Sequence, residues 1–264
     1  MGLSMASYYH DPKASRAEQE EHDTNLRNYI ENIRIEFPKS GYRTLSEYLR
    51  RQDVRVSEYR LRKVLAKFKL QIRVKKRYIR TTNSNHGFKI YPNLVKDIAV
   101  RRKNQVWVSD ITYIRIENGF VYLAVVIDRF SRKVVGWSLS KSIDGNLTLA
   151  ALKMAHEQRG RPRNVIHHSD RGVQYLCEKY TSFLESNGYK ISCSAKGNPY
   201  DNAFAESFMR TLKVEQVDLY NYKTILDVLE NVPNFLEEVY NKKRVHSSLG
   251  YLTPEEFESK NEKK

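Results

Sequence analysis

From Val106 the chain reads as a succession of strands and helices. VWVSDITYIRI (106–116) alternates apolar and polar residues, and Glu117-Asn118-Gly119 follows as a hairpin turn. GFVYLAVVIDRF (119–130) is a nearly continuous apolar run, the pattern of a strand buried on both faces. RKVVGWSLS makes a third strand. A helix is predicted over 146–158, with Leu147, Ala150, Ala151, Met154 and Ala155 on one face. NVIHHS then reads as a short strand, 174–187 as a helix, YKISCS as a strand and 201–217 as a further helix. The order β-β-β-α-β-α-β-α predicts an α/β layer fold with a mixed five-stranded sheet.

Upstream the patterning is helical. Residues 15–36 are polar with helical spacing and no strong apolar face. Leu45, Tyr48 and Leu49 mark a short helix, and a polar turn falls at Gln52 and Asp53. Ser57 is placed to cap a second helix carrying Tyr59, Leu61, Val64, Leu65 and Phe68. Two short helices around a tight turn fit a small α-helical helix-turn-helix domain; they also fit a plain basic hairpin. Residues 60–80 carry ten Lys or Arg and no acid, which suits a linker along a phosphate backbone or a solvated tail. TTNSNHG (81–87) is rich in turn formers and marks a boundary. The expected divisions are a helical segment at 1–36, the basic helical pair and its linker at 37–80, and a second linker at 81–105. An α/β core at 106–220 and a helical extension at 221–264 complete the chain.

Charge adds a partner to this picture. The formal net charge is +15, of which residues 1–105 carry +13 and residues 106–264 only +2. A cationic excess confined to one region predicts a polyanion contacted mainly there. Nucleic acid is the leading candidate, because each neutralised phosphate releases a condensed counterion. Ribosome association, anionic lipid and simple solubility are the plainer readings. The cations placed for such contacts are Arg60, Arg62 and Lys63 on the second helix and Lys75, Lys76 and Arg77 in the linker. No apolar run reaches the ~18 residues of a membrane span, and the opening MGLSMASYYHDPKAS has no apolar signal core. Both predict a protein that stays where it is made. Cys177 and Cys193 form no CxxC pair and are expected to be reduced core residues.

Three acids then stand out. Asp110 lies inside the first strand between Val108 and Ile111, where an unpaired carboxylate costs several kcal/mol. Asp170 ends the fourth strand in HHSDRGVQY, and strand ends are where open α/β sheets build sites. Glu206 falls on the last helix within about 60° of arc of Arg210 and Lys213, opposite Phe204, Phe208 and Leu212. The element order is that of the ribonuclease-H-like fold, which would set the first and fourth strands side by side. Like charges at that range call for divalent cations, and hard ions such as Mg²⁺ (or Mn²⁺) take carboxylate oxygens. A pair of ions in the active site suits phosphoryl transfer, with Arg210 and Lys213 holding phosphates. The plainer reading makes the three acids caps and surface ion pairs.

At these residues the sequence resembles the insertion-sequence transposases with a retroviral-integrase-like catalytic core, in the branch made from two overlapping reading frames. WVSDITYI, HHSDRGVQY and KGNPYDNAFAESFMRTLKVE carry the likeness, as do the 35 residues between Asp170 and Glu206 and a basic residue, Lys213, seven positions after the glutamate. YNKKRVHSSLGYLTPEEF looks like the family's closing signature, and GYRTLSEYLRR like its preceding helix-turn-helix. The resemblance implies a bacterial cytoplasmic enzyme, nucleoid-associated when bound, that cleaves 3′ ends of an element and joins them to target DNA. It also implies a homo-oligomer on DNA. Two departures carry expectations. Pro233 predicts a kink or break in a normally uninterrupted helix. The family's earlier helix-turn-helix and heptad helix are not in this sequence, which points to a second-frame product partnered by the first-frame protein.

The remaining polar residues divide between site and scaffold. Asp128 is read as a turn cap or as a partner of Arg129 or Arg132, and the His167–His168 pair as mainly structural. Asn198, Tyr200 and Asn202 precede Glu206 in a loop expected to order on DNA, with Asn202 a contact. Arg244 and His246 are assigned to DNA, a helical cap on the core fitting equally well. Trp107 and Trp137 are expected in the core. Two competing functions remain at this stage: a hydrolysis-only nuclease of the same fold, and a non-catalytic DNA-binding regulator.

Overall fold

A computed structural model of the chain describes residues 16–72, 88–194 and 203–262. The chain divides into two compact units, Met1–Lys75 and Lys76–Lys264.

The first unit contains α1 (Arg16–Glu36), α2 (Tyr42–Arg51) and α3 (Glu58–Lys67). Leu45, Tyr48 and Leu49 of α2 and Leu61, Val64 and Leu65 of α3 are buried at the i, i+3, i+4 spacing of a packing face. Ser57 caps α3, its hydroxyl accepting from the Arg60 N–H at 3.3 Å. Two expectations are corrected. The segment at 15–36 does possess a face, since Leu26, Ile30 and Ile33 are buried and Phe37 extends it, stacking on Tyr48 at 4.3 Å. Tyr59 is 69% exposed, because it lies two residues, roughly 200°, from the buried Leu61.

The second unit is built on strands β1 (Val106–Ile116), β2 (Gly119–Asp128), β3 (Val134–Ser140), β4 (Ile166–Ser169) and β5 (Lys190–Cys193), in the order β3-β2-β1-β4-β5. The β3-β2-β1 meander is antiparallel, whereas β4 and β5 join parallel to β1. This is the mixed five-stranded sheet of the ribonuclease-H-like fold. Helices α4 (Gly145–Gln158), α5 (Val173–Leu176), α6 (Glu178–Ser186) and α7 (Ala203–Glu215) complete the core. Even-numbered β1 residues, Val106, Val108 and Ile114, pack with Ala205, Phe208 and Leu212 of α7. Trp107, on the other face, packs with Leu147, Ala151, Leu152 and Ala155 of α4 and with Tyr180 and Leu184 of α6. Gly136 permits that close packing: a Cβ there would stand 2.2 Å from the Ala151 carbonyl oxygen.

The C-terminal residues finish this unit. Helix α8 (Ile225–Asn234) opens on a Thr224–Asp227 capping box and contains Pro233. The expected interruption takes the form of a change of winding: the α-helix ends at Asn234, one residue after Pro233. Phe235 keeps helical dihedrals, φ −60° and ψ −44°, and the chain runs on as a π-wound segment, Phe235–Lys243. Asn241 then covers the outer edge of β3: its side chain accepts from the Val134 N–H and donates to the Val134 carbonyl, both at 2.9 Å. Helix α9 (Pro254–Glu262) inserts Glu258, 7% exposed, which accepts from Ser131 Oγ at 2.6 Å and from the Arg159 guanidinium at 2.7 and 2.8 Å. Arg159 also reaches Asp128 at 3.0 Å. Asp128 caps its turn as expected, through the Phe130 N–H, but its ion-pair partner is Arg159 and not Arg129 or Arg132. Among the described residues no helix is long and apolar enough to cross a membrane.

Candidate active site

The register Val108↔His168 between β1 and β4 places Asp110 level with Asp170, just where the short β4 ends. Asp110 is an even-numbered residue of β1 and so lies on the sheet face that α7 covers. Its carboxylate accepts from the Ile111 N–H at 2.9 Å. Asp170 Oδ1 accepts from the Gly172 N–H at 2.9 Å, closing the turn that leaves the sheet. The approach is close: a Cβ at Gly172 would lie 2.9 Å from Asp170 Oδ1, so a larger residue there would shift that carboxylate. Glu206 stands in the first turn of α7, exposed, where the helix dipole favours an acid.

Electrostatics tie the three together unequally. The Asp110 carboxyl is pushed up to about 7, first by burial, then by Asp170 and, after the opposing Ile111 hydrogen bond, by Glu206. Among the described residues no three His, Cys, Asp or Glu side chains stand close enough to hold a metal ion. Asp170 acts on Asp110 more strongly than does Glu206, which is exposed. Lys213 is half-buried with its ammonium 4.5 Å from the Tyr113 ring centre; burial lowers its proton affinity, while Asp218 and Asp110 restore part of it. Arg210 is exposed on the same helix.

Beneath the acids lies a buried layer of rings and hydroxyls that sequence reasoning missed. His167 Nε2 is within 2.8 Å of Ser109 Oγ and 2.9 Å of the Tyr180 hydroxyl, and burial with His168 holds it neutral, down to about 3. His168 Nδ1 meets Ser192 Oγ at 2.8 Å. Both histidines are thus structural. Tyr175, 2% exposed, carries a buried hydroxyl that has no hydrogen-bond partner among the described residues; burial raises its phenol well above the usual value, and Asp110, Tyr180 and Asp170 add to the rise. The signal for this layer was a set of polar residues inside otherwise apolar strands.

The assigned DNA contacts fare differently. His246 is 7% exposed, with its ring 5.0 Å from that of Tyr240, and burial, Arg244 and Arg132 push it down to about 2. It is a core histidine, so its assignment to DNA is withdrawn. Arg244 spends its fork on Glu215 through two 2.7 Å hydrogen bonds, which removes the geometry a phosphate would use. In the first unit Arg60 lies 3.5 Å from Asp23, Arg62 stands 5.3 Å from the Tyr42 ring centre and Lys63 4.8 Å from that of Tyr59. Lys75, Lys76, Arg77, Asn198, Tyr200 and Asn202 lie outside the described residues.

Comparison with known proteins places this geometry in context. Two models of the integrase core domain match residues 100–199 and 187–254. An uncharacterised 31 kDa protein of insertion element IS600 from Shigella sonnei is 34% identical over 261 residues, 98% of this chain and 96% of that protein. The transposase InsF of insertion sequence IS3A from Escherichia coli is 45% identical over 177 residues, 67% of this chain but 62% of the transposase's own length. Among solved structures, the HTLV-2 integrase catalytic core domain in complex with magnesium is 22% identical, covering 60% of this chain and 97% of that one, with a TM-score of 0.46. A chain of the simian T-cell lymphotropic virus intasome is 18% identical, covering 78% of this chain and 66% of its own, with a TM-score of 0.47.

Proposed function

Because this chain belongs to the integrase-core transposases of insertion sequences, we propose that it cuts DNA at the 3′ ends of a mobile element and joins those ends to a target. Asp110, Asp170 and Glu206 carry the chemistry. The observation that supports this assignment is Asp110 itself: a carboxyl inside a buried strand, level with Asp170, whose charged form the fold disfavours. A penalised carboxylate with a second acid level with it on the next strand fits hard divalent cations, Mg²⁺ or Mn²⁺, two per site. Asp110 and Asp170 would hold them, with Glu206 supplying a further oxygen. When bound, such ions stabilise the attacking and leaving oxygens of an in-line phosphoryl transfer.

In the first step a water oxygen attacks phosphorus and the P–O3′ bond breaks, leaving a free 3′-hydroxyl and a 5′-phosphate. In the second, that 3′-hydroxyl oxygen attacks another phosphodiester, forming one P–O bond and releasing one 3′-oxygen. Arg210 and Lys213, on the helix of Glu206, bind the non-bridging oxygens of the reacting strand. The cations of α3 and of residues 73–80 hold the flanking duplex. Pairing two ends requires more than one copy, so the working form is a homo-oligomer on DNA in the bacterial cytoplasm. The first-frame protein of the same element is the second proposed partner.

Incubation with 3′-hydroxyl donor ends and a target duplex tests the reading. Joined product supports it; metal-dependent nicking with no joined product leaves a hydrolytic nuclease. If Asp170→Asn keeps full metal-dependent activity, the assigned site is wrong.

A further inference from the structure

Between the β2–β3 turn and the first turn of α7 lies a cleft of about 290 Å³, walled by Val95, Val108, Arg129, Arg132, Phe204 and Ser207. The turn divides its side chains between two directions. Phe130 packs on Phe257 at 5.1 Å, Ser131 donates to Glu258, and Lys133 lies 3.9 Å from both Glu255 and Glu258. These residues dock the turn onto α9. Arg129 and Arg132 face the cleft instead. Both are half-buried, and among the described residues neither has a carboxylate partner. Arg129 makes one side-chain hydrogen bond, to the Val95 carbonyl at 3.2 Å, and the Arg132 guanidinium lies 4.8 Å from the Phe204 ring centre.

Lys133 shows that acids were within the turn's reach, so the two guanidiniums are cations held in place with their charge unspent. Arg132 pays a backbone cost as well, at φ +63°, where glycine would be unstrained. Its field reaches the neighbouring core, helping to hold His246 neutral. The cleft also adjoins both elements of the candidate active site: Val108 precedes Asp110 by two residues, about 7 Å along β1, and Ser207 follows Glu206.

We propose that this cleft seats a phosphodiester of the bound DNA strand, one or two nucleotides from the reacting phosphate. Arg129 and Arg132 clamp its non-bridging oxygens, the Ser207 hydroxyl donates to it, and Phe204 keeps the Arg132 fork planar and in place. The seat rests on the transposase reading and adds to it a second grip. One phosphate is held where chemistry occurs and another is fixed beside it, which sets the register of the strand.

Methylphosphonate scanning tests the seat in the full-length protein. Binding to the duplex that ends the encoding element is measured in Ca²⁺, with the phosphates near the reacting 3′ end neutralised one at a time. Wild type should lose at least about tenfold in affinity at one position beside the reacting phosphate. Arg132→Gly and Arg129→Gln should each bind unmodified DNA more weakly and show no further loss at that position. Losses that multiply equally at every position, or variants that bind as wild type does, overturn the proposal. Arg132→Gly relieves a strained residue, so its melting temperature should not fall; if it does, Arg129→Gln carries the test. Wild-type strand joining, run in parallel with Mg²⁺, separates the two claims. Joining without the position-specific effect removes the seat alone, whereas no joining and no nicking removes the transposase reading and the seat with it.

Discussion

Replacing Asp110 by Asn should stabilise the metal-free protein, by an amount that grows with pH. The carboxyl rises from 3.8 to about 7 on folding, chiefly through burial and Asp170. At 1.36 kcal/mol per pH unit, the ionised group is about 4 kcal/mol less favourable in the folded chain than in the unfolded one. The sign follows from proton binding. Between pH 3.8 and 7 the folded state holds a proton that the unfolded state has lost, so stability falls as pH rises through this window. Asn carries no charge and escapes the penalty, and its carbonyl oxygen can still accept from Ile111. The stability gained by Asp110→Asn should therefore be about 1–2 kcal/mol at pH 5 and about 4 kcal/mol at pH 8, the latter near 10 °C in Tm. Urea unfolding followed by tryptophan fluorescence isolates the relevant unit, because both tryptophans, Trp107 and Trp137, lie in Lys76–Lys264. Mg²⁺ should then stabilise wild type much more than the variant. A gain independent of pH, or a loss at pH 8, would refute the account of Asp110 as a charge that the fold strains to hold.

Three further outcomes concern the scaffold. Arg159→Met strands Asp128 and Glu258, 0% and 7% exposed, as facing buried acids, and should cost about 4 kcal/mol in chemical denaturation. Asn241→Leu orphans the Val134 N–H and carbonyl together; a loss of about 3 kcal/mol is expected, with faster hydrogen exchange along β3. Tyr175→Phe deletes a buried hydroxyl that has no partner among the described residues, so the urea midpoint should rise by the equivalent of about 1 kcal/mol. A fall there would mean that the hydroxyl is satisfied by the acids above it.

What could be read from the sequence follows the range of the interactions involved. The strands were legible because alternation and turn residues are local, and Asp110 and Asp170 because an acid within or at the end of an apolar run is itself anomalous. The face of α1 escaped notice since Leu26, Ile30 and Ile33 are diluted by charged neighbours. Partners distant in sequence were beyond reach. Asp128 meets Arg159 across 31 positions and Arg244 meets Glu215 across 29, and nothing near either residue announces the other. The same distance misled the reading of His246, assigned to DNA although its surroundings bury it. Arg129 and Arg132 were noticed only as partners for Asp128, because a turn's two directions appear only in three dimensions.

Asn241 and Glu258 also set a clock. Until they leave the ribosome, the edge of β3 stays open and Asp128 and Arg159 lack their third member. At about 5–20 residues per second, the stretch from the end of β5 to Glu258 takes several seconds to synthesise. During that interval all five strands exist, yet the sheet edge is bare and prone to pair with a neighbour. The integrase-like unit can therefore become a finished fold only once Glu258 has emerged, well after its fifth strand.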